Sequence, residues 1–420
     1  MKNPKVKLPL VDLFAGCGGL SLGLERSGFT PVFVNELSPE ALESYLLNRN
    51  DNPVDLRDKR RHLLDIRSLN SQSSSLADLA TFLNREHGEI ALVAGGPPCQ
   101  GYSGIGHRRT FSGVTKSEIP SNHLYEEMAN FVERVQPRAF LFENVRGLLS
   151  ARWTPKQPKG EIWDDVKATF ERLGGRRGLK QYSIGWSLIY AKDYGVPQNR
   201  PRVLMVGIRE DINWQSRTSV AGGRLPDPVG AAPDLESLLS DLIDPNWRKR
   251  GVTLKYPSPA ENSIQRALRM RNGRLYRKGE PVTEMEYSNH SEEVVEKFRY
   301  MIRNGGEIPS AMRTKKFAQR VLPRRWGPDG PSITATSLPD DYVHFSQPRV
   351  LTVREWARLQ LFPDCYRFAG SRTTGGRRRA GDIARGDWSR DVPKYTQIGN
   401  AVPVGLAEHI GNHLRTLLDC

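Results

Sequence analysis

One cysteine in a stiff loop has the setting that best suits nucleophilic chemistry in this chain. Cys99 follows the apolar run Ile90–Ala94, which predicts a buried strand, and then the Gly-Gly-Pro-Pro segment from Gly95 to Pro98. The prolines fix the backbone before the sulfur, and the glycines allow a bend with room for a ligand. In doubly wound α/β folds, ligands bind just beyond the carboxyl ends of the strands. Cys99 is therefore a candidate nucleophile, although a free cysteine is more often simply a small buried residue.

Charged residues lie at the ends of two further predicted strands. Glu143 comes directly after the apolar run Ala139–Phe142, and a buried carboxyl facing Cys99 could be protonated and donate to a heterocycle nitrogen. Arg200 and Arg202 enter the next strand one residue apart, so we expect both guanidinium groups on one side of the sheet edge. There they could favour a thiolate, contact a base or bind phosphate. The alternatives are a surface glutamate and ordinary strand-edge charge.

A glycine-rich turn between a predicted strand and a predicted helix indicates a second ligand site. The segment from Asp12 to Leu20 contains Gly-x-Gly-Gly, which lets a ligand approach the backbone and the helix N-terminus. Glu36 lies 20 residues after Gly16, where an acidic residue could bind ribose hydroxyls. A dinucleotide enzyme would share both features, and a plain structural turn is also open, but the spacing departs from Gly-x-Gly-x-x-Gly.

Residues around this turn favour an adenosyl ligand that has no pyrophosphate. Phe14 precedes the glycines and could stack on a purine. Asp65 could accept a hydrogen bond from the adenine amino group, and Ile66 could pack on the ring face. Together these features suit S-adenosylmethionine.

Composition sets the class of protein and of partner. The 420 residues carry a net charge of +15 with a pI of about 9.7, which attracts polyanions and nucleic acid first, although many soluble proteins are basic without binding DNA. None of the four cysteines forms a Cys-x-x-Cys pair, so we expect no metal site and a reducing compartment. No apolar run approaches membrane-spanning length, and we expect a cytoplasmic protein.

Alternating strands and helices predict an α/β fold with a mostly parallel sheet over residues 1–209. Residues 394–420 are expected to complete this domain. Within them, the end from Gly399 to Leu418 predicts a loop and a helix. Residues 210–393 predict a smaller, mostly irregular second domain. That domain contains two basic segments without acidic residues, Arg266–Lys278 and Arg313–Arg325, and an arginine-rich loop over 366–392. The loop could be a DNA contact or a solvated insertion.

Six ordered motifs closely resemble those of the DNA (cytosine-5) methyltransferases, in the form found in prokaryotic restriction-modification systems. They are the glycine motif from Asp12, Pro97-Pro98-Cys99, Glu143-Asn144-Val145, Gln198–Arg202, Arg349–Asp364 and Gln397–Pro403. The resemblance implies a Rossmann-like S-adenosylmethionine-dependent methyltransferase domain. It also implies that residues 211–348, which match least, belong to a target-recognition domain.

The resemblance implies a role for each matching residue. Cys99 would attack C6 of a flipped-out cytosine, Glu143 would hold and protonate N3, and Arg200 and Arg202 would help to bind the base and support the site. The cofactor S-adenosyl-L-methionine, which leaves as S-adenosyl-L-homocysteine, would be bound by Phe14, Ala15, Gly16, Gly18, Gly19, Leu20, Glu36, Leu37, Asp65, Ile66, Pro97, Leu124, Asn400, Ala401 and Val402. The DNA would be contacted by Gln100, Ser103, His107, Arg108, Arg109, Gln198 and Thr334.

The expected activity is therefore site-specific methylation of cytosine C5 in double-stranded DNA by a monomer, with no obligate protein partner and possibly paired in function with a restriction endonuclease. Three alternatives stay open. A tRNA-cytosine methyltransferase would carry a Cys-Phe-Thr signature, which this sequence lacks. A catalytically silent DNA-binding regulator would be expected to lose Cys99 or the cofactor motif. A nicotinamide-dependent oxidoreductase would leave the Pro-Pro-Cys-Gln segment unexplained.

Overall fold

A computed structural model describes residues 7–70, 75–98, 120–154, 156–215, 223–312, 319–328, 330–332, 339–373 and 391–418. The chain divides into two compact units. Unit 1 contains residues 1–190, 201–228 and 406–420, and unit 2 contains residues 191–200 and 229–405. These units are defined by packing alone. The functional division into a catalytic domain (1–209 with 394–420) and a target-recognition domain (210–393) stays a prediction.

A seven-stranded sheet forms the centre of unit 1. Its strands are β1 (Pro9–Leu13), β2 (Thr30–Asn35), β3 (His62–Leu63), β4 (Leu92–Gly95), β5 (Ala139–Val145), β6 (Tyr182–Tyr190) and β7 (Pro201–Arg209), in the spatial order β3-β2-β1-β4-β5-β7-β6. The first five strands in that order pair in parallel, whereas β7 is antiparallel to both β5 and β6. The prediction of an α/β fold with a mostly parallel sheet is confirmed.

Helices pack around this sheet because each presents an apolar face. They are α1 (Gly19–Arg26), α2 (Pro39–Leu47), α3 (Arg67–Asn70), α4 (Ser75–His87), α5 (Leu124–Val135) and α6 (Glu161–Glu171). The pair Ser38-Pro39 predicts a helix start, and helix α2 begins there. The Ser38 hydroxyl caps it by accepting from the Ala41 N–H at 3.2 Å, with Pro39 in the first turn. Phe140 of β5 faces Gly207 of β7, where a Cβ atom would lie only 2.1 Å from the Phe140 ring.

Unit 2 is built from short helices and two-stranded ribbons. Its elements are α7 (Leu235–Leu239), α8 (Ser263–Leu268), β8 (Met270–Arg271), β9 (Arg274–Leu275), α9 (Glu292–Arg303), β10 (Arg320–Val321), β11 (Tyr342–Val343), α10 (Val353–Arg358) and α11 (Lys394–Asn400). The last helix, α12 (Val404–Leu417), continues from unit 2 into unit 1 at Leu406. Single 3₁₀ turns occur at Pro120–His123, Arg146–Ser150, Ala191–Asp193, Ser240–Leu242 and Ser310–Met312. Within the described ranges, no helix has the length and apolar character needed to cross a membrane.

Buried ion pairs hold the interior of unit 2. Arg358 contacts both Asp241 and Asp364 at 2.5 Å, and all three side chains are 2% exposed or less. Arg269 donates from Nε to Asp241 at 2.8 Å, so every carboxylate oxygen of this cluster has a guanidinium partner. In a second cluster, Arg349 binds Glu355 through two parallel hydrogen bonds of 2.7 Å each.

Three details of the predicted elements are wrong. The residues from Ser187 to Ala191 predict a strand, but β6 begins five residues earlier, at Tyr182, because it pairs with β7 along its full length. The segment Lys394–Asn400 is a helix, which places the expected loop after Asn400 and not from Gly399. The supposedly irregular region contains the 12-residue helix α9, with Ser291 as its N-cap.

Candidate active site

The turn between β1 and α1 has the backbone geometry of a ligand-binding loop. Gly16 and Gly18 adopt φ angles of 56° and 87°. A Cβ atom at Gly18 would lie 2.8 Å from the Tyr45 ring and 2.9 Å from the Arg49 guanidinium, so only glycine fits. Phe14, a residue with a side chain, also has a positive φ of 55°. Such a strained conformation before a glycine turn is common at ligand sites.

Glu36 is fixed beside this turn by two backbone donors. The Gly16 N–H donates to one carboxylate oxygen and the Ser38 N–H donates to the other, each at 2.8 Å. Burial raises the pKa of Glu36, and these two hydrogen bonds oppose the rise. Each carboxylate oxygen has a second lone pair, so Glu36 can be held by the protein and still accept two hydroxyl groups.

Asp12, which the sequence analysis used only to mark the start of the turn, is a buried carboxyl of β1. It is fully buried, and neither oxygen has a hydrogen-bond partner among the described residues. Burial raises the pKa of Asp12 to about 7, against the opposing positive charge of Arg49. The Ser21 hydroxyl pairs with Tyr45 Oη at 2.7 Å, and Arg49 binds Glu25 at 2.6 Å. The sequence signal that could have revealed Asp12 is its position as an acidic residue inside an apolar run.

The other predicted cofactor residues lie in both units. Those of unit 1 follow β1 to β4 or begin α5; they are Ala15, Gly19, Leu20, Leu37, Asp65, Ile66, Pro97 and Leu124. Leu37 is 62% exposed, whereas Ile66 is buried. Asp65 is already paired with Arg67 at 2.6 Å. Asn400, Ala401 and Val402 belong to unit 2, at the end of α11.

Glu143 and Arg202 form a pair on the neighbouring strands β5 and β7. Arg202 Nε lies 2.6 Å from Glu143 Oε1, and both residues are only 9% exposed. The second oxygen, Oε2, lies 2.6 Å from the position that a Cβ atom of Gly96 would occupy. The room at Gly96 therefore accommodates the Glu143 carboxylate, and the expectation that this glycine also leaves space for a ligand stays a prediction.

Asn144 connects this pair to the loop that leads to Cys99. Its Nδ2 donates to the Pro97 carbonyl at 3.1 Å, and its Oδ1 accepts from the Val145 N–H at 2.9 Å. Asn144 thus fixes the backbone two residues before Cys99, a positioning role that the sequence analysis did not assign. The predicted residues Cys99, Gln100, Ser103, His107, Arg108, Arg109 and Thr334 lie outside the described residues.

Arg200 and Arg202, which we expected on one side of the sheet edge, contact different parts of the molecule. Arg202 lies within β7, an interior strand between β5 and β6, so the prediction of both guanidinium groups at one sheet edge is wrong. Arg200 precedes the strand and belongs to unit 2, where it donates to the carbonyls of Gly399 at 2.7 Å and Ala401 at 3.0 Å. Gln198 is fully buried and donates to the Leu359 carbonyl at 3.1 Å, and its contact with DNA stays a prediction.

Cys17 and Cys365, the thiols among the described residues, have surroundings that differ from those predicted for Cys99. Burial, followed by the nearby Glu36 carboxylate, raises the pKa of Cys17 to about 12, so this thiol is protonated at neutral pH. Burial also raises the pKa of Cys365. Among the described residues, no group of three or more His, Cys, Asp or Glu side chains is arranged to hold a metal ion.

Residues 8–416 match the family model of the C-5 cytosine-specific DNA methylases. The chain belongs to this family. The predicted family and its activity, DNA (cytosine-5) methylation, are therefore confirmed.

Related methyltransferases align with nearly the whole length of this chain. The type II methyltransferase M1.HphI of Haemophilus parahaemolyticus is 28% identical over 410 residues, which cover 96% of this chain and 86% of the relative. M.DdeI of Desulfomicrobium norvegicum is 29% identical over 424 residues, covering 96% and 88%. A solved structure of a prophage-encoded E. coli protein, assigned as a DNA modification methyltransferase, is 23% identical, has a TM-score of 0.66 and covers 99% of this chain and 100% of its own. That similarity supports the fold.

Proposed function

We propose that this methylase modifies one short sequence in double-stranded DNA and that it acts through a covalent bond between Cys99 and C6 of the target cytosine. The observation that carries this proposal is the arrangement of Glu143. Arg202 engages one of its oxygens, the other lies against Gly96, and Asn144 fixes the Pro97 carbonyl two residues before Cys99. A buried acid beside a fixed loop that leads to a thiol suits nucleophilic addition with proton transfer.

Each step of the proposed reaction balances in bonds and protons. The Cys99 thiolate forms a bond to C6 while the Glu143 carboxyl protonates N3, and the π electrons of C5=C6 move to C5. The C5 electron pair then forms a bond to the methyl group, which S-adenosyl-L-methionine would supply with S-adenosyl-L-homocysteine as the leaving group. A base removes the C5 proton, the electron pair of the C5–H bond re-forms C5=C6 and expels the thiolate, and N3 returns its proton to Glu143. The cytosine must first leave the helix, which costs a few kcal/mol per base.

The residues around the β1–α1 turn fit an adenosyl cofactor. Bound S-adenosyl-L-methionine supplies the electrophilic methyl group. Glu36 is fixed by Gly16 and Ser38 with acceptor capacity left for the ribose hydroxyls. Phe14 is suited to stack on the purine, and Asp65 with Ile66 to bind its edge and face. The resemblance to the family also assigns Asn400, Ala401 and Val402 to cofactor binding, and Arg200 fixes the backbone of this segment.

The DNA substrate and the biological context are inferred from the net charge and from the relatives. A net charge of +15 favours the DNA polyanion, and basic residues in the loop after Cys99 would bind phosphates. The relatives named above are type II methyltransferases. We therefore propose a cytoplasmic monomer that protects DNA against a restriction endonuclease of the same specificity.

The test is expression in a host without cytosine methylation, followed by bisulfite sequencing of plasmid DNA. We expect protected cytosines within one short sequence, and none with the Cys99→Ala variant. Cys365→Ala is the matched control, since this half-buried thiol has no role in the proposal, and it should protect as the wild type does. Protein that is folded but protects no cytosine would contradict the proposal, and tRNA would be the next substrate to test. Equal protection by Cys99→Ala would contradict the covalent mechanism.

A further inference from the structure

The basic segment Arg266–Lys278 forms a short β-hairpin that the reaction does not use. Strands β8 and β9 pair through Met270 with Leu275 and through Arg271 with Arg274. The two residues between the strands, Asn272 and Gly273, have φ angles of 49° and 75°. Positive φ at both positions defines the type I′ turn that joins tight hairpins. The tip is therefore a defined structure with a fixed strand register.

The base of the hairpin is rigidly held. Arg269, which directly precedes β8, is 1% exposed and is bound by Asp241. It also donates to the Ser258 carbonyl at 2.9 Å, and its guanidinium lies 3.8 Å from the centre of the Tyr256 ring. A side chain held by an ion pair, a carbonyl and a ring face resists rotation. The strands that follow it project from a fixed point.

The tip, in contrast, is open to solvent and strongly basic. Arg271, Asn272, Gly273 and Arg274 are all exposed. Arg271 and Arg274 are direct cross-strand neighbours on the same face, an arrangement in which like charges destabilise a hairpin. Arg274 has an acidic partner in Glu280. The exposed positive charge of Arg271 at the tip therefore favours the approach of an anionic partner.

We propose that this hairpin, residues 270–275, enters the major groove of the target DNA and that Arg271, Asn272 and Arg274 recognise base edges there. The inference rests on the proposed function and specifies which element selects the sequence. A two-stranded ribbon fits the major groove, arginine pairs with guanine N7 and O6, and asparagine pairs with adenine N6 and N7. The exposed Arg277 and Lys278 follow the hairpin and are placed to contact phosphates.

The competing explanation is that the hairpin contacts only phosphates. Arg271→Lys separates the two, because lysine keeps the charge but lacks the bidentate fork of arginine. We expect Arg271→Ala and Arg271→Lys each to lower methylation of the preferred sequence about tenfold to a hundredfold, and to relax the choice of base at one position of that sequence. Arg274→Ala should relax a second position.

The experiment compares methyl transfer to oligonucleotides that differ at each position of the sequence found with the wild type. The matched control is Arg299→Ala, which removes an exposed arginine of α9 in the same unit and should change neither rate nor specificity. Thermal unfolding and binding of S-adenosyl-L-methionine should be unchanged in all variants, which shows that the fold and cofactor site are intact.

Two results would overturn the inference. Unchanged rate and sequence choice in Arg271→Ala and Arg274→Ala would exclude any role in recognition. Full rescue by Arg271→Lys with unchanged sequence choice would assign the hairpin to phosphate contact alone. Both results require an active wild type, so they are distinct from failure of the proposed function, in which the wild type itself methylates no DNA.

Discussion

Buried carboxyl groups occur in both units, but their surroundings differ. In unit 2, Asp241, Asp364 and Glu355 have a guanidinium partner at every oxygen. In unit 1, Asp12 has no hydrogen-bond partner among the described residues, and the Glu143 ion pair engages Oε1 while Oε2 faces Gly96.

The difference appears in the direction of the pKa shifts. Burial by itself would raise the pKa of Glu355, yet Arg349 lowers it to about 2. For Asp12 the same burial prevails over Arg49 and raises the pKa to about 7. In unit 2 the buried charges pair with one another and stabilise its interior. In unit 1 some buried polar groups have hydrogen-bonding capacity that the described residues do not fill. Unfilled capacity at the carboxyl ends of strands is typical of sites that bind ligands and transfer protons.

The largest effect that we expect from this comparison is catalytic. Glu143→Gln keeps the shape of the side chain but removes the acid, so methyl transfer should fall by about two to four orders of magnitude. The measurement is incorporation of labelled methyl groups into DNA. The control is Glu171→Gln, an exposed glutamate of α6, which should keep full activity. A loss below tenfold in Glu143→Gln would show that this carboxyl is structural, like those of unit 2.

The next effect concerns stability. Arg358→Met leaves Asp241 and Asp364 buried beside an apolar side chain, and removal of one partner from a buried ion pair costs about 3–5 kcal/mol. The free energy of unfolding, measured with urea, should fall by that amount. Arg57→Met removes the partner of Glu43 in an exposed pair and should cost about 1 kcal/mol or less. Equal losses in the two variants would mean that burial of the cluster is unimportant.

The last effect depends on pH. The pKa of Asp12 is about 7 in the folded protein and starts from 3.8, so the folded state binds more protons between these values. Stability should therefore fall as pH rises from about 4 to 7, and Asp12→Asn should remove this loss, on the order of 4 kcal/mol at pH 8. The check is the free energy of unfolding at pH 4 and pH 8.

Asp12→Asn should gain stability over the wild type at pH 8 and differ little from it at pH 4. A constant difference at both values would contradict an elevated pKa. Glu355 should behave in the opposite way. Because its folded pKa is depressed, its contribution is present above the unfolded value near 4.5 and is lost as pH falls towards 2.

Local sequence signals predicted much of unit 1. Apolar runs marked the positions of β4 and β5, the glycine-rich turn marked the junction of β1 with α1, and the Ser-Pro pair before α2 marked its start. These signals suffice because buried parallel strands are continuous apolar runs. The ordered motifs then identified the family, since their residue types and order are specific.

What the sequence did not predict depends on contacts between distant residues. Pairing of Glu143 with Arg202 requires β7 to lie beside β5, and no local pattern specifies that neighbour. The different destinations of Arg200 and Arg202 arise because the chain changes unit between them. Helix α9 could have been found, since Ser291 precedes two glutamates and Val295, Phe298 and Met301 follow at helical spacing. The Asn272-Gly273 turn was likewise a readable hairpin signal.

The last helix has a consequence for how the protein is made. Residues of α12 from Leu406 onward pack in unit 1, where the Glu408 backbone carbonyl accepts from Ser27 Oγ at 2.8 Å, and Gly411 fits against Ser27 of the loop after α1. A chain emerging from the ribosome therefore lacks part of the packing around α1 until the residues that follow Leu406 have been synthesised. Truncated translation products would carry the glycine turn without the helix that supports α1, and should be substrates for proteases instead of active enzymes.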